Sequence, residues 1–129
     1  MSASATILIA DDDPNIRKTI GDVLTRAGSL VHLCKDGHKA CEYLEKEPVD
    51  LVISDIKMPY RNGYEIFAAA QRARKKMPVI LMTGFGYDPN HSIVRASQEG
   101  LCCVLYKPFK IEQLIEELRK ALEAVDDDG

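Results

Sequence analysis

A chain of 129 residues with 46% hydrophobic and 29% charged side chains can form one self-supporting core, hiding about two-thirds of the surface its unfolded form exposes, and has no room for a second folded output domain. Its 17 basic and 20 acidic side chains leave a net charge of −3, without the basic footprint of a sequence-independent nucleic-acid or anionic-membrane binder. No apolar run approaches the ~20 residues of a membrane span, and Met1-Ser2-Ala3-Ser4-Ala5 lacks the charged and apolar regions of a signal peptide, so cytoplasm is the expected compartment. Cys34, Cys41, Cys102 and Cys103 show no CxxC or zinc-ligand spacing, and all four are expected to be reduced packing residues.

Taken in chain order, short runs of Ile, Val and Leu alternate with longer segments of helical period, the pattern of a parallel sheet wrapped by helices. Thr6-Ile7-Leu8-Ile9-Ala10 is nearly all apolar, as a strand covered on both faces should be. Asp13-Pro14 then reads as an N-cap with proline at the first helical position, and Ile16, Ile20, Val23, Leu24 and Ala27 share one helical face up to Gly28. A second strand, Leu30 to Cys34, precedes Asp36-Gly37 and a helix whose inner face is Ala40, Cys41 and Leu44, stopped by Pro48. Leu51-Val52-Ile53-Ser54 runs into Asp55, and a turn-rich loop from Met58 to Gly63 leads to a helix with Ile66, Phe67 and Ala70 inward. Val79 to Met82 is the fourth strand; a long polar loop, a helix around Ile93 to Glu99 and a capping Gly100 follow. Cys103-Val104-Leu105 is a short fifth strand, broken by Lys107-Pro108. Ile111, Leu114, Ile115, Leu118, Leu122 and Val125 line one face of the last helix, and residues 126–129 are expected to be a disordered acidic tail. The expectation is a doubly wound (βα)5 domain over residues 1–125.

In such a sheet the carboxyl ends of all strands lie along one edge, and ligands bind where the strand order reverses. Asp11 and Asp12 follow strand one, Asp55 ends strand three, Thr83 ends strand four and Lys107 ends strand five, so five polar groups should face one crevice. Three carboxylates within several Å repel by roughly a few kcal/mol per pair at an effective dielectric of about 20, so the site needs cations. Lys107 supplies one charge. Carboxylates without His or Cys suit a hard divalent ion, and Mg²⁺ takes one or two carboxylates, retained waters and a phosphate. Singly, each group has a plainer reading: Asp11-Asp12-Asp13-Pro14 as a helix cap, Asp55 as turn chemistry, Thr83-Gly84 as a loop start, Lys107-Pro108 as a turn. Their ordered placement at four strand ends favours the site.

Ile9-Ala10-Asp11-Asp12-Asp13-Pro14, Asp55-Ile56-Lys57-Met58-Pro59 with Asn62-Gly63, Thr83-Gly84 and Lys107-Pro108-Phe109 together resemble the receiver domain of two-component response regulators, of the chemotaxis-Y-like kind. The resemblance spans almost the whole chain. It implies a flavodoxin-like five-stranded parallel sheet of order 2-1-3-4-5 with helices on both faces. It implies phosphorylation of Asp55 by a histidine kinase or phosphotransfer protein. It further implies Mg²⁺ held by Asp12 directly, Asp11 through water, Asp55 and the main-chain carbonyl of Lys57. Lys107 would neutralise phosphoryl charge, Thr83 would donate its hydroxyl to the phosphoryl group and move inward as the switch, and the Lys107-Pro108 bond would be cis. Lys57 and Phe85 would flank the phosphoryl group.

The chain departs from that pattern at Val104, where receivers carry Tyr or Phe three residues before the lysine. A β-branched side chain has little rotamer freedom and no polar tip, so the usual coupling of phosphate to the outer face should be weak, leaving the loop from Gly84 to His91 to signal. Tyr106 is expected to face another way, because side chains alternate along a strand. Leu101-Cys102-Cys103 replaces the charged residues through which transcription-factor receivers pair, favouring a monomer or a weak phosphorylation-dependent dimer. No direct nucleic-acid contact is expected of the run Arg72, Arg74, Lys75 and Lys76, which sits at a helix C-terminus. The output partner is unspecified. Three other readings stay open: a degenerate receiver that is never phosphorylated, a Mg²⁺-dependent aspartyl-phosphate phosphatase, and a flavin carrier. Lys57 stands where such phosphatases carry a second acid, and three acids after strand one would repel a flavin phosphate. The expected protein is no enzyme beyond catalysing its own phosphorylation and dephosphorylation.

Overall fold

In the computed structural model, which describes residues 5–84 and 102–128, the five apolar runs form one parallel sheet. Its strands are β1 (Thr6–Ala10), β2 (Leu30–Cys34), β3 (Leu51–Asp55), β4 (Val79–Thr83) and β5 (Cys102–Tyr106). They lie in the order β2-β1-β3-β4-β5. The described helices are α1 (Pro14–Arg26), α2 (Gly37–Lys46), α3 (Gly63–Ala73) and α4 (Ile111–Asp128). The helix expected at Ile93 to Glu99, its cap Gly100, Phe85 and the rest of the loop to His91 lie outside the described residues.

Alternation along the strands divides the interior in two. Ile7 and Ile9 of β1 turn towards Ile20 and Leu24 of α1 and Leu114 and Leu118 of α4. Leu8 and Ala10 turn the other way, towards Ala40, Cys41 and Leu44 of α2 and Ile66, Ala69 and Ala70 of α3. This double cover is why the central strands carry almost no polar side chain. Fully burying an Ile or Leu stabilises by about 1.5–3 kcal/mol, so truncating the wholly buried Ile53 to Ala would cost about 2–5 kcal/mol.

The helix starts follow local chemistry. Asp13 caps α1 by accepting the Asn15 N–H at 2.9 Å, with Pro14 in the first turn. Asp36 accepts the Lys39 N–H at 2.9 Å. Asn62 and Glu65 form a reciprocal capping box at α3. Glu47, restrained by the proline after it, is extended and ends α2, and Gly28 leaves α1 with φ of 98°. At the other end of the chain, α4 continues through Asp128, three residues past Val125 and into the stretch expected to be a disordered tail. Aspartate lowers helix propensity without forbidding the next turn, and the run contains no breaker before Gly129.

The chain leaves β1 to one side for β2 and then crosses to the other side for β3. The resulting topological switch lies at the carboxyl ends of β1 and β3.

Candidate functional site

At that switch point the three acids converge. One carboxylate oxygen each of Asp11, Asp12 and Asp55 lies within 4.8 Å of the others. Asp11 directly follows β1, its N–H continuing the ladder to the Cys34 carbonyl at 3.2 Å. Its side chain is wholly buried, with Oδ1 accepting the Asp13 N–H at 2.9 Å and Oδ2 accepting from Lys107 Nζ at 3.2 Å. Asp55 closes β3 and accepts from the same ammonium at 3.1 Å. Asp12 is exposed.

Lys107 is carried in from the far side of the sheet. Its N–H donates to the Thr83 carbonyl at 2.7 Å, prolonging the β4–β5 ladder, and its peptide bond to Pro108 is cis. Thr83 ends β4 and is buried. Lys57 lies two residues beyond Asp55 in the loop before α3, with its side chain in solvent.

Opposing effects set the protonation of this group. Burial pushes the Asp11 carboxyl above its ordinary range and Asp55 adds to the push, against the Asp13 amide and the Lys107 ammonium. Burial pulls the Lys107 ammonium down, but Asp11 and Asp55 together outweigh it and its pKa is raised. A single lysine thus bridges two of three crowded carboxylates, a charge balance that a hard divalent cation would complete. No His or Cys belongs to the cluster, so the donor set fits an oxygen-preferring ion.

Val104 sits one layer below, in register with Leu81 of β4, and packs on the α2 and α3 side of the sheet. The expectation that Tyr106 faces another way is corrected. It follows Val104 by two residues and opposes Thr83, so the two share a face of the strand. Tyr106 is 57% exposed at the sheet edge.

Two participants had no signal in the sequence pattern. Arg17, in α1, donates from Nη1 to the Asp11 main-chain oxygen at 2.7 Å. Gly37, read only as a helix start, lets α2 press against the backbone of Arg61 in the loop after Asp55. Both contacts join separate loops or elements, and neither spacing belongs to a local motif.

Comparison with known proteins agrees with this geometry. The pattern of the response regulator receiver domain matches residues 7–119. The transcriptional regulatory protein GlrR of Escherichia coli is 38% identical over 92% of this chain, which spans 26% of GlrR. PdtaR, a transcriptional regulatory protein of Mycobacterium tuberculosis, is 36% identical over 90% of this chain, which spans 56% of it. Among solved structures, a CheY-like receiver domain protein of Methanospirillum hungatei superposes with a TM-score of 0.88 at 27% identity, covering 98% of this chain and all of that one. Chemotaxis protein CheY4 of Vibrio cholerae gives 0.79 at 30% identity, covering 93% of this chain and 100% of its own. Among the described residues no helix is long and apolar enough to cross a membrane. The family pattern runs from the second residue of β1 into the middle of α4 and takes in every strand-end group described above, so the chain belongs to the response regulator receiver domain family.

Proposed function

We propose that the domain takes a phosphoryl group onto Asp55 from a histidine kinase or phosphotransfer protein, with Mg²⁺ bound at the acidic cluster, and thereby switches binding to a downstream protein. The observation that carries this reading is the Lys107 ammonium bridging Asp11 and Asp55 at 3.2 and 3.1 Å. The Asp55 carboxylate is held beside a fixed cation at a strand end, with two further acids close enough to share a metal.

Asp12, Asp11, Asp55 and the Lys57 carbonyl would hold the metal. When bound, Mg²⁺ supplies positive charge to the phosphoryl oxygens. The remaining work falls to the chain. A carboxylate oxygen of Asp55 attacks phosphorus; the P–N bond to the donor imidazole breaks as the P–O bond forms, leaving an acyl phosphate. Lys107, already within reach, exchanges its contact with Asp55 for a phosphoryl oxygen, stabilising charge in place rather than reorganising from solvent. The hydroxyl of Thr83, a buried residue at the end of β4, donates to another phosphoryl oxygen and draws the end of β4 inward. Val104 supplies no polar tip for that movement to engage, so the signal leaves through the loop that begins at Gly84.

The domain acts on itself alone and turns over no separate substrate. Cys34 and Cys41 are free, buried thiols, in keeping with a reducing, cytoplasmic setting. Because the chain spans about a quarter of several relatives named as transcriptional regulators, the output is assigned only as protein contact, by a monomer or a weak phosphorylation-dependent dimer.

Intact mass after incubation with acetyl phosphate and Mg²⁺ tests the reading. One metal-dependent adduct of about 80 Da, absent in Asp55→Asn, is the expected result. No adduct, together with no Mg²⁺ binding, would favour a degenerate receiver working unphosphorylated.

A further inference from the structure

We propose that Arg17 is a positioning residue for the acidic pair: by fixing the peptide between Asp11 and Asp12 it sets the affinity of the cluster for a divalent cation. This deepens the function proposed above and rests on its metal-binding part. Among the described residues the three acids are held very unequally. The Asp11 carboxylate has partners on both oxygens, the Asp13 N–H at 2.9 Å and Lys107 Nζ at 3.2 Å. Asp55 has Lys107 at 3.1 Å. Asp12 is exposed, and no bond to its carboxylate is formed by the described residues, so the backbone on either side must place it.

On the C-terminal side that backbone is fixed, since Asp13 caps α1 through the Asn15 N–H at 2.9 Å. On the N-terminal side the fixing group is Arg17. Its Nη1 donates to the Asp11 carbonyl oxygen at 2.7 Å, the short distance of a charge-assisted bond. A peptide group is planar, so holding that oxygen holds the Asp12 nitrogen and the direction in which Asp12 leaves the strand. Arg17 is itself anchored, its N–H bonded to the Asp13 carbonyl at 3.1 Å. The clamp therefore runs from the first turn of α1 back to the end of β1 and encloses Asp12.

Helix electrostatics support a dedicated role. A cation near a helix N-terminus opposes the macrodipole, and α1 has no acidic residue in its first turn to offset it. Arg17 finds its compensation in the Asp11 carbonyl and the adjoining acids. Lysine would keep the charge but lose the planar fork that meets a carbonyl in a fixed direction.

The test compares the full chain with Arg17→Met and Arg17→Lys. Mg²⁺ is titrated calorimetrically, amide exchange at Asp12 and Asp13 is followed without metal, and acetyl phosphate labelling is measured at saturating Mg²⁺. Loss of an outer partner of a metal ligand weakens binding by about tenfold or more. Arg17→Met is therefore expected to raise the Mg²⁺ Kd about tenfold and to quicken exchange at the two amides, with the labelling rate at saturating Mg²⁺ recovering to within about twofold. Arg17→Lys should fall between, and decides the matter if the Met variant does not fold. A Kd within twofold of the parent, or a weakened Kd with unchanged exchange, overturns the positioning role. A parent chain that binds no Mg²⁺ overturns the metal reading and this inference with it.

Discussion

Lys107 Nζ stands 3.1 Å from Asp55 Oδ2, and the same ammonium is 3.2 Å from the buried carboxylate of Asp11. The lysine is thus the counter-ion of two carboxylates, and in the function proposed above it is also the cation that meets the phosphoryl group, so its removal should separate the two roles. In Lys107→Met, labelling by acetyl phosphate is expected to slow by about a hundredfold, the scale of losing one preorganised charge donor. Mg²⁺ should at the same time bind more tightly, because the three-carboxylate cluster would then lose the ammonium that pairs with Asp11 and Asp55. Parallel calorimetry and mass spectrometry check both. Equal losses of labelling and metal affinity would instead mean a collapsed site.

Asp12 should destabilise the metal-free domain. Its carboxylate approaches those of Asp11 and Asp55 within 4.8 Å and is exposed, a spacing at which like charges repel by about 1 kcal/mol in water-like surroundings. Asp12→Ala is thus expected to raise the urea midpoint in EDTA and to lower it relative to the parent in saturating Mg²⁺, because only the parent is stabilised by a bound ion. The same shift in both buffers would show that packing, not charge, dominates.

Cys34 gives an alkaline limit to stability. Its thiol is buried in the α2 and α3 core, and burial, with Asp36 nearby, pushes its pKa up to about 11 from 9.0. The folded state then holds the proton more tightly than the unfolded one. The associated stability is fully present below about pH 9 and is lost as pH rises to about 11, a fall of roughly 2–3 kcal/mol. Urea midpoints measured from pH 8 to 11 should decline less steeply in Cys34→Ala. Parallel profiles in the two proteins would remove Cys34 as the cause.

The strands were legible because a sheet covered on both faces needs unbroken apolar runs, and β1 at Thr6–Ala10 leaves no other reading. The acidic cluster was legible for a geometric reason: in a parallel sheet, groups as far apart in sequence as Asp11, Asp55 and Lys107 end on one edge. Contacts made by backbone were not. Arg17 reaches a main-chain oxygen, and carbonyls carry no sequence signature. Tyr106 shows the opposite case, since the period of two already places it on Val104's side. The end of α4 depended on the residues after Val125, and three aspartates alone do not stop a helix.

Gly37 should prove as sensitive as a core residue. A Cβ there would collide with the Arg61 carbonyl oxygen and come within 2.7 Å of Arg61 Cβ. The two loops are also bonded, with the Pro59 carbonyl accepting from Gly37 at 3.1 Å and from Arg61 at 2.8 Å. The second bond closes a tight turn around Tyr60, whose φ is 69°, a conformation costly for an aromatic residue and kept only where the surroundings enforce it. Gly37→Ala must force the loops apart, at about 3 kcal/mol by the cost of overpacking and roughly 10 °C in melting temperature. Because the displaced loop directly follows Asp55 and carries Lys57, labelling of Asp55 by acetyl phosphate should slow at temperatures where the variant is still folded. A lowered melting temperature with unchanged labelling would show that the strain ends at Arg61 and does not reach the site.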